Sequence, residues 1–209
     1  MKNILEKILE KADTLYWQGL PIEMTDLEFD SISEQIGHIS KPPATLKGWS
    51  QYPDYCLLKP HYGLKKVSYE IAKKAVNYWP KWDGIYLQIF KDQNGIHCVT
   101  RGDGRIGKDL KHFFDSKGVI IPDHSGEFEL IYNPCAYSLD DCKIRAKLVS
   151  DLSRNDLNRS SLYFNDHSYC VIDGIPPKEI PESFGGFAID GWVIELADGQ
   201  KFAYKGEAW

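Results

Sequence analysis

Lys81-Trp82-Asp83-Gly84, followed by Ile85-Tyr86-Leu87-Gln88-Ile89-Phe90, is the stretch on which the reading of this chain turns. The second part is an alternating apolar run of strand length, and the first delivers a lysine at its mouth. Gly84 lets the backbone come close to whatever the lysine meets. A lysine attacks only when neutral, so a reactive Lys81 needs desolvation or neighbouring cations to counter an ordinary pKa of about 10.4. The plainer alternative is a surface lysine ahead of an edge strand.

Downstream, Ile85 to Lys91, a turn at Gln93-Asn94-Gly95 and Ile96 to Arg101 spell a β-hairpin. It runs into Thr100-Arg101-Gly102-Asp103-Gly104-Arg105-Ile106-Gly107-Lys108-Asp109. The glycines of that loop can leave backbone N–H groups pointing at an anion, with Arg101 and Arg105 adding charge. The same letters also suit a plain glycine-rich turn. Further on come a strand at Gly126 to Tyr132, a helix at Cys142 to Ser153 and a strand at Tyr169 to Ile175. A last hairpin pairs Ala188 to Leu196 with Lys201 to Lys205.

Upstream, a helix is expected over Ser68 to Tyr78. The proline-bearing stretch Gly37 to Gly63 reads as an irregular connection. Before it, Ile4, Leu5, Ile8, Leu9, Ala12 and Leu15 share a helical face. A second helix starts at Thr25, with Glu28 completing a capping box and Phe29, Ile32 and Ile36 forming its apolar stripe. The fold class is α+β, mostly antiparallel strands with helices packed outside. The expected division is a helical subdomain over 1–40, a linker over 41–63 and the main domain over 64–209.

Composition narrows the function classes. At 209 residues, 43% apolar, the chain can bury one sizeable core plus a small appendage. A net charge of −5 argues against a broad basic surface for nucleic acid. The start, MKNILEKILEK, lacks a signal-peptide core, and no stretch suits a membrane span, so a cytoplasmic protein without a membrane partner is expected. Cysteines 56, 98, 135, 142 and 170 form no C-x-x-C pair and read as reduced core thiols, with no zinc site.

Together these pieces resemble the adenylation region of the NAD-dependent DNA ligases, a nucleotidyltransferase (ATP-grasp-like ligase) fold. Lys81-Trp82-Asp83-Gly84 matches the family's K-x-D-G, and Thr100 to Asp109 is similar to its T-R-G-D-G-x-x-G-x-D. Gly126-Glu127 looks like the third motif, with Glu129 as the other register, and Asp190-Gly191-Trp192-Val193-Ile194-Glu195 like the fourth. Ala203-Tyr204-Lys205 looks like the fifth, and Arg145 to Leu152 like a connecting helix motif. In the N-terminal part, Tyr16-Trp17 and Asp26-Leu27-Glu28-Phe29-Asp30 keep the spacing of a nicotinamide-mononucleotide-binding hairpin. Tyr16 and Phe29 could equally staple the two helices together.

The resemblance implies a mechanism. Lys81 attacks the AMP phosphorus of NAD and becomes a lysyl-AMP, with Asp83 following it in the motif. Arg101, Lys205 and a Mg2+ held largely through water neutralise phosphate charge, and Glu127 holds the ribose or a metal-bound water. Leu64 lines the adenine site, and Tyr16, Trp17, Asp26, Phe29 and Asp30 hold the nicotinamide half. Two positions depart from the family. Trp79 stands where a glutamate reads the adenine amine, and Glu195 where a lysine binds phosphate, so Lys201 on the facing strand is a candidate substitute. The chain stops four residues after Lys205, without the family's oligonucleotide-binding barrel. Sealing of nicked DNA is therefore expected only with a partner chain, in a bacterial or virus-infected host cytoplasm. A catalytically impaired NAD- or AMP-binding homologue, and an AMP transferase of RNA-ligase type, remain as alternatives.

Overall fold

The structure, a computed structural model, describes residues 2–17, 22–24, 26–38, 51–132, 148, 152 and 162–206. The chain divides into two compact units, Met1–Gln51 with Lys143–Leu157, and Tyr52–Cys142 with Asn158–Trp209. Among the described residues no helix is long and apolar enough to cross a membrane.

The first unit carries α1 (Lys2–Trp17) and α2 (Asp26–Ile36). On α1, Leu9 and Ala12 are buried while Ile4 is 65% and Ile8 41% exposed. Of the six residues expected on one helical face, Leu5 and Leu15 are half-buried. Asp13 is buried beside Leu9 and Ala12 and takes His38 Nε2 at 2.7 Å, while the His38 ring meets the edge of Phe29 at 5.9 Å. Leu148 and Leu152 are helical and fully buried, and the rest of the helix expected there lies outside the described residues, as does the Thr25 cap.

The second unit is an α+β body of mostly antiparallel sheet. Its first sheet has the order β11 (Lys201–Tyr204), β10 (Phe187–Leu196), β2 (Ala75–Trp82), β8 (Ile172–Asp173), with β9 (Ser183–Phe184) paired to β10. Its second sheet has the order β4 (Gly95–Thr100), β3 (Ile85–Asp92), β6 (Gly126–Tyr132), β7 (Leu162–Asp166). A two-stranded ribbon joins β1 (Asp54–Cys56) to β5 (Ile106–Lys108), so part of the expected irregular connection is a strand. The segment 65–67 lies along β11, with Val67 N–H donating to Ala203 O and Ala203 N–H to Lys65 O.

Two elements depart from the sequence reading. The helix expected over Ser68 to Tyr78 is the single turn α3 (Tyr69–Ala72), and the chain then extends as β2. Val76, Tyr78 and Trp79 favour an extended chain, and ladder pairing with β10 more than a hundred residues away overrides local helix propensity. The strand expected over Tyr169 to Ile175 is a 3₁₀ turn at His167–Cys170 followed by the two-residue β8. Asp166 caps that turn, accepting from Ser168 N–H at 2.8 Å.

The central strand β3 pairs with both β4 and β6, and Ile85 to Phe90 are all buried. Gln88 survives inside because its amide is satisfied: it accepts from Lys59 N–H at 3.1 Å and donates to Lys59 O at 2.7 Å and Tyr86 Oη at 3.0 Å. One core joins the sheets: Ile131 of β6 packs with Trp82, Ile189, Trp192, Ile194 and Tyr204. Phe113 and Phe114 of α4 (Lys111–Ser116) are buried, with Phe114 edge-on to Phe164 of β7 at 5.3 Å. Of the described cysteines, Cys98 is buried, Cys170 half-buried and Cys56 exposed, so the core-thiol reading fails for Cys56.

Candidate functional site

Lys81 sits inside β2, not ahead of a strand. The ladder between β2 and β10 runs in step from Glu195 opposite Asn77 to Trp192 opposite Pro80, then breaks before Ile189 opposite Trp82. Asp190 and Gly191 are the extra residues of this bulge, and they face Lys81. Gly191 has φ of +133°, and a Cβ there would stand 2.3 Å from Tyr204 O. Only glycine fits, and the bulge turns the Asp190 carboxylate onto the lysine.

The contact is an ion triad. Lys81 Nζ donates to Asp190 Oδ2 at 2.7 Å, and Lys205 Nζ reaches the same oxygen at 2.6 Å. Burial alone would raise the Asp190 carboxyl, but the two ammonium groups outweigh it and hold the group below the usual carboxylate range. Lys205 follows β11 directly, so the last hairpin brings the fifth-motif lysine to the first-motif lysine. Asp190 was not singled out from the sequence, although it begins the Asp190-Gly191 string. Its role becomes visible only once the bulge is known.

Further along the same face of β2, Trp79 is buried, and Lys201 Nζ sits 5.2 Å from its ring centre. Glu195 takes the Asn77 amide at 3.0 Å. Asn77 and Lys81 are four residues apart on one strand, about 13 Å at ~3.3 Å per residue. Glu195 is therefore not the carboxylate at Lys81.

The second sheet contributes another cluster. His61 stacks on Tyr86 with ring centres 3.8 Å apart. Burial pushes His61 down to about 4, with Glu127 opposing the shift and Arg101 adding to it, so the ring is neutral at ordinary pH. Burial also raises the Tyr86 hydroxyl well above its usual range. A methyl built on Gly63 would stand 3.8 Å from Arg101 Nη1. Arg101, Glu127 and Tyr86 thus gather around His61. Glu129 points to the same side of β6 as Glu127 and meets His167 Nε2 at 3.5 Å. The His167 ring lies 6.1 Å from Trp82 and 6.0 Å from Tyr86, bridging the two sheets. Neither His61 nor His167 was identified as a site residue. His167 falls just ahead of the segment read as a strand, and Leu64, read as lining an adenine site, is half-buried three residues after His61.

Of the two readings of the glycine-rich loop, the bonds of its amides favour the plain turn. Asp103 Oδ1 accepts from Arg105 N–H at 2.9 Å and Ile106 N–H at 2.8 Å, Gly104 N–H donates to Arg101 O, and Lys108 N–H donates to Thr100 Oγ1. These amides are spent inside the protein and make no anion cradle. A Cβ on Gly107 would lie 1.7 Å from Thr100 O, so the glycine serves backbone approach. Gly84 likewise packs against Leu130 O of β6, where a Cβ would lie at 2.4 Å, and not against the lysine's partner. The loop in turn anchors the segment that bears His61: Arg105 Nε donates to Tyr62 Oη at 2.9 Å, and His61 N–H to Gly104 O. Asp109, which ends the motif, is buried, taking Cys98 and Lys111 N–H and His97 Nδ1.

Asp83 donates its N–H to Ala188 O across the strand end. Tyr16 and Trp17 end α1, and Asp26, Phe29 and Asp30 lie in α2. The side chains of Tyr16, Trp17, Asp26 and Asp30 lie outside the described residues, and Phe29 is half-buried. Among the described residues, no three His, Cys, Asp or Glu side chains converge as a metal cage.

No protein-family model matches the sequence. The chain is similar to a protein of Invertebrate iridescent virus 6 named "Putative DNA ligase 205R", with 29% identity over 110 residues. The matched stretch is 51% of this chain and 18% of that protein, so the chain covers under a fifth of its relative's length.

Proposed function

We propose that this chain performs the self-adenylation step of an NAD-dependent DNA ligase, forming lysyl-AMP on Lys81. The observation that carries the reading is the pair of lysines, Lys81 and Lys205, held on one oxygen of Asp190. Similarity to a protein named as a DNA ligase supports the ligase part. NAD as the AMP donor rests on the resemblance of the N-terminal hairpin.

The donor set suits a nucleotide phosphate: two ammonium groups on one carboxylate oxygen, with the Arg101 guanidinium and the Glu127 carboxylate near His61. In the step, the Lys81 Nζ–phosphorus bond forms, the bond from phosphorus to the nicotinamide mononucleotide oxygen breaks, and Lys81 gives up a proton. Asp190 Oδ2 already receives an N–H of Lys81 and orients the nitrogen. Lys205 beside it meets the phosphate charge that develops. Mg2+ would supply charge neutralisation when bound. The described carboxylates form no cage for it, so it would be carried by the donor's phosphates and water. Sealing of nicked DNA is a further step, for which a partner chain is part of the proposal.

Glu195 is the residue that most favours an impaired homologue. Its engagement by Asn77, four strand positions from Lys81, argues against a carboxylate set at the reacting phosphorus. Intact-protein mass spectrometry after incubation with NAD or ATP tests the proposal. A gain of one AMP from NAD alone, lost in Lys81→Ala, is the expected result. No gain from NAD would sink it.

A further inference from the structure

Lys205 lies just past the last ladder, whose final pair is Trp192 opposite Tyr204. The ladder stops one residue short of it. What flanks Lys205 instead is a proline-bearing segment, residues 174–182. Tyr204, fully buried, donates its Oη–H to Lys178 O at 2.5 Å. On the other side of Lys205, Gly206 has φ of +97°, and a Cβ built there would stand 3.6 Å from Ile180 Cγ1. The same segment reaches the carboxylate of the triad from behind: Ile189 N–H, one residue before Asp190, donates to Glu182 O at 3.3 Å. Its far end is held by Gly174 N–H on Val76 O, near the start of β2, and by Tyr69 Oη–H on Pro176 O at 3.5 Å. Pro176, Pro177 and Pro181 fix φ at three of its positions, so it keeps its shape with few free torsions.

The Tyr204 hydroxyl is the polar tie between this segment and β11. Its ring meets Tyr69 at 5.5 Å between centres and packs in the core with Ile131 and Trp192, contacts that a phenylalanine ring would keep. Packing alone therefore does not call for the hydroxyl. Two ammonium groups share one carboxylate oxygen only if each arrives from its own side, so the point at which Lys205 leaves the backbone matters.

We propose that Tyr204 is a positioning residue: through its hydroxyl on Lys178 O, the segment 174–182 fixes the backbone at Lys205 and so seats the Lys205 ammonium on Asp190 beside Lys81. Its bearing on lysyl-AMP formation rests on the adenylation reading, whereas the seating of Lys205 stands apart from it.

The test is Tyr204→Phe in the full chain, read in two ways. The first is titration of the Asp190 carboxyl followed by carbon NMR, with the signal assigned by its loss in Asp190→Asn. Lys205 is one of the two ammonium groups that hold this carboxyl down, so the midpoint should move up in Tyr204→Phe and at least as far up in Lys205→Met. Combining Tyr204→Phe with Lys205→Met should give the midpoint of Lys205→Met alone, since the hydroxyl then has no ammonium to seat. The second is the rate of lysyl-AMP formation at saturating NAD, which should fall about tenfold to a hundredfold in Tyr204→Phe. Ile180→Ala, on the other flank of Lys205, should move both readings the same way by less. An Asp190 midpoint unchanged in Tyr204→Phe overturns the proposal, whatever the rate or the melting temperature does. A midpoint that rises while the wild-type chain forms no lysyl-AMP removes the adenylation reading and leaves the seating of Lys205 standing.

Discussion

The bulge at Asp190-Gly191 and the loop at Gly102 to Gly107 both depend on glycine where a Cβ would strike a backbone carbonyl. They use it to opposite ends. At the bulge, the distortion turns a carboxylate out of the ladder and onto two lysines, concentrating charge at one point. In the loop, the glycines let the backbone fold against itself, and Asp103 and Thr100 consume the amides that could have served a ligand. A close approach of backbone creates a site only when it leaves polar groups with capacity to spare.

This contrast can be broken most sharply at Asp190. Asp190→Asn should slow lysyl-AMP formation by roughly 10²- to 10⁴-fold with little change in melting temperature, measured by timed intact-mass spectra. A rate within a factor of about three of wild type would place the bulge, like the loop, on the structural side. On the loop side, Gly107→Ala should cost roughly 2–4 kcal/mol of stability in urea melts. The fraction that stays folded should still be adenylated. Loss of adenylation without loss of stability would make the loop a site after all.

The smallest expected effect is on the His61 ring, which the loop helps to hold. Its folded pKa of about 4 lies below the unfolded value of about 6.5, so the unfolded chain binds a proton first as the medium is acidified. Stability should fall as pH drops from about 6.5 to about 4 and the contribution should level off below that. His61→Phe keeps a ring on Tyr86 and removes the proton. Urea melts across this range should show a shallower slope in that variant.

Much of the second unit was legible because its signals are local. The hairpin at Gln93-Asn94, the strand Gly126–Tyr132 and the final hairpin all fall where alternation and turn residues put them. β2 was not legible, because Lys73-Lys74 and the preceding apolar residues fit a helix, and only pairing with a distant strand decides otherwise. At the site, Lys81 and Lys205 were recognisable as letters of motifs. Asp190 was equally present as a letter, but its meaning depends on a register break. For the amides of Thr100 to Asp109 the sequence left an anion cradle and a plain turn both open, because hydrogen-bond capacity is a property of the folded loop. Glycine count does not report it.

The shared oxygen of Asp190 gives this protein an internal competitor. Two ammonium groups already grip one anionic oxygen, so an incoming phosphate would exchange with a resident carboxylate and not fill bare charge. Such exchange tempers affinity, because each new contact replaces an old one. It also makes the resting face choosy: a lone anion gains little by displacing Asp190, and a ligand that brings further contacts along the face gains more.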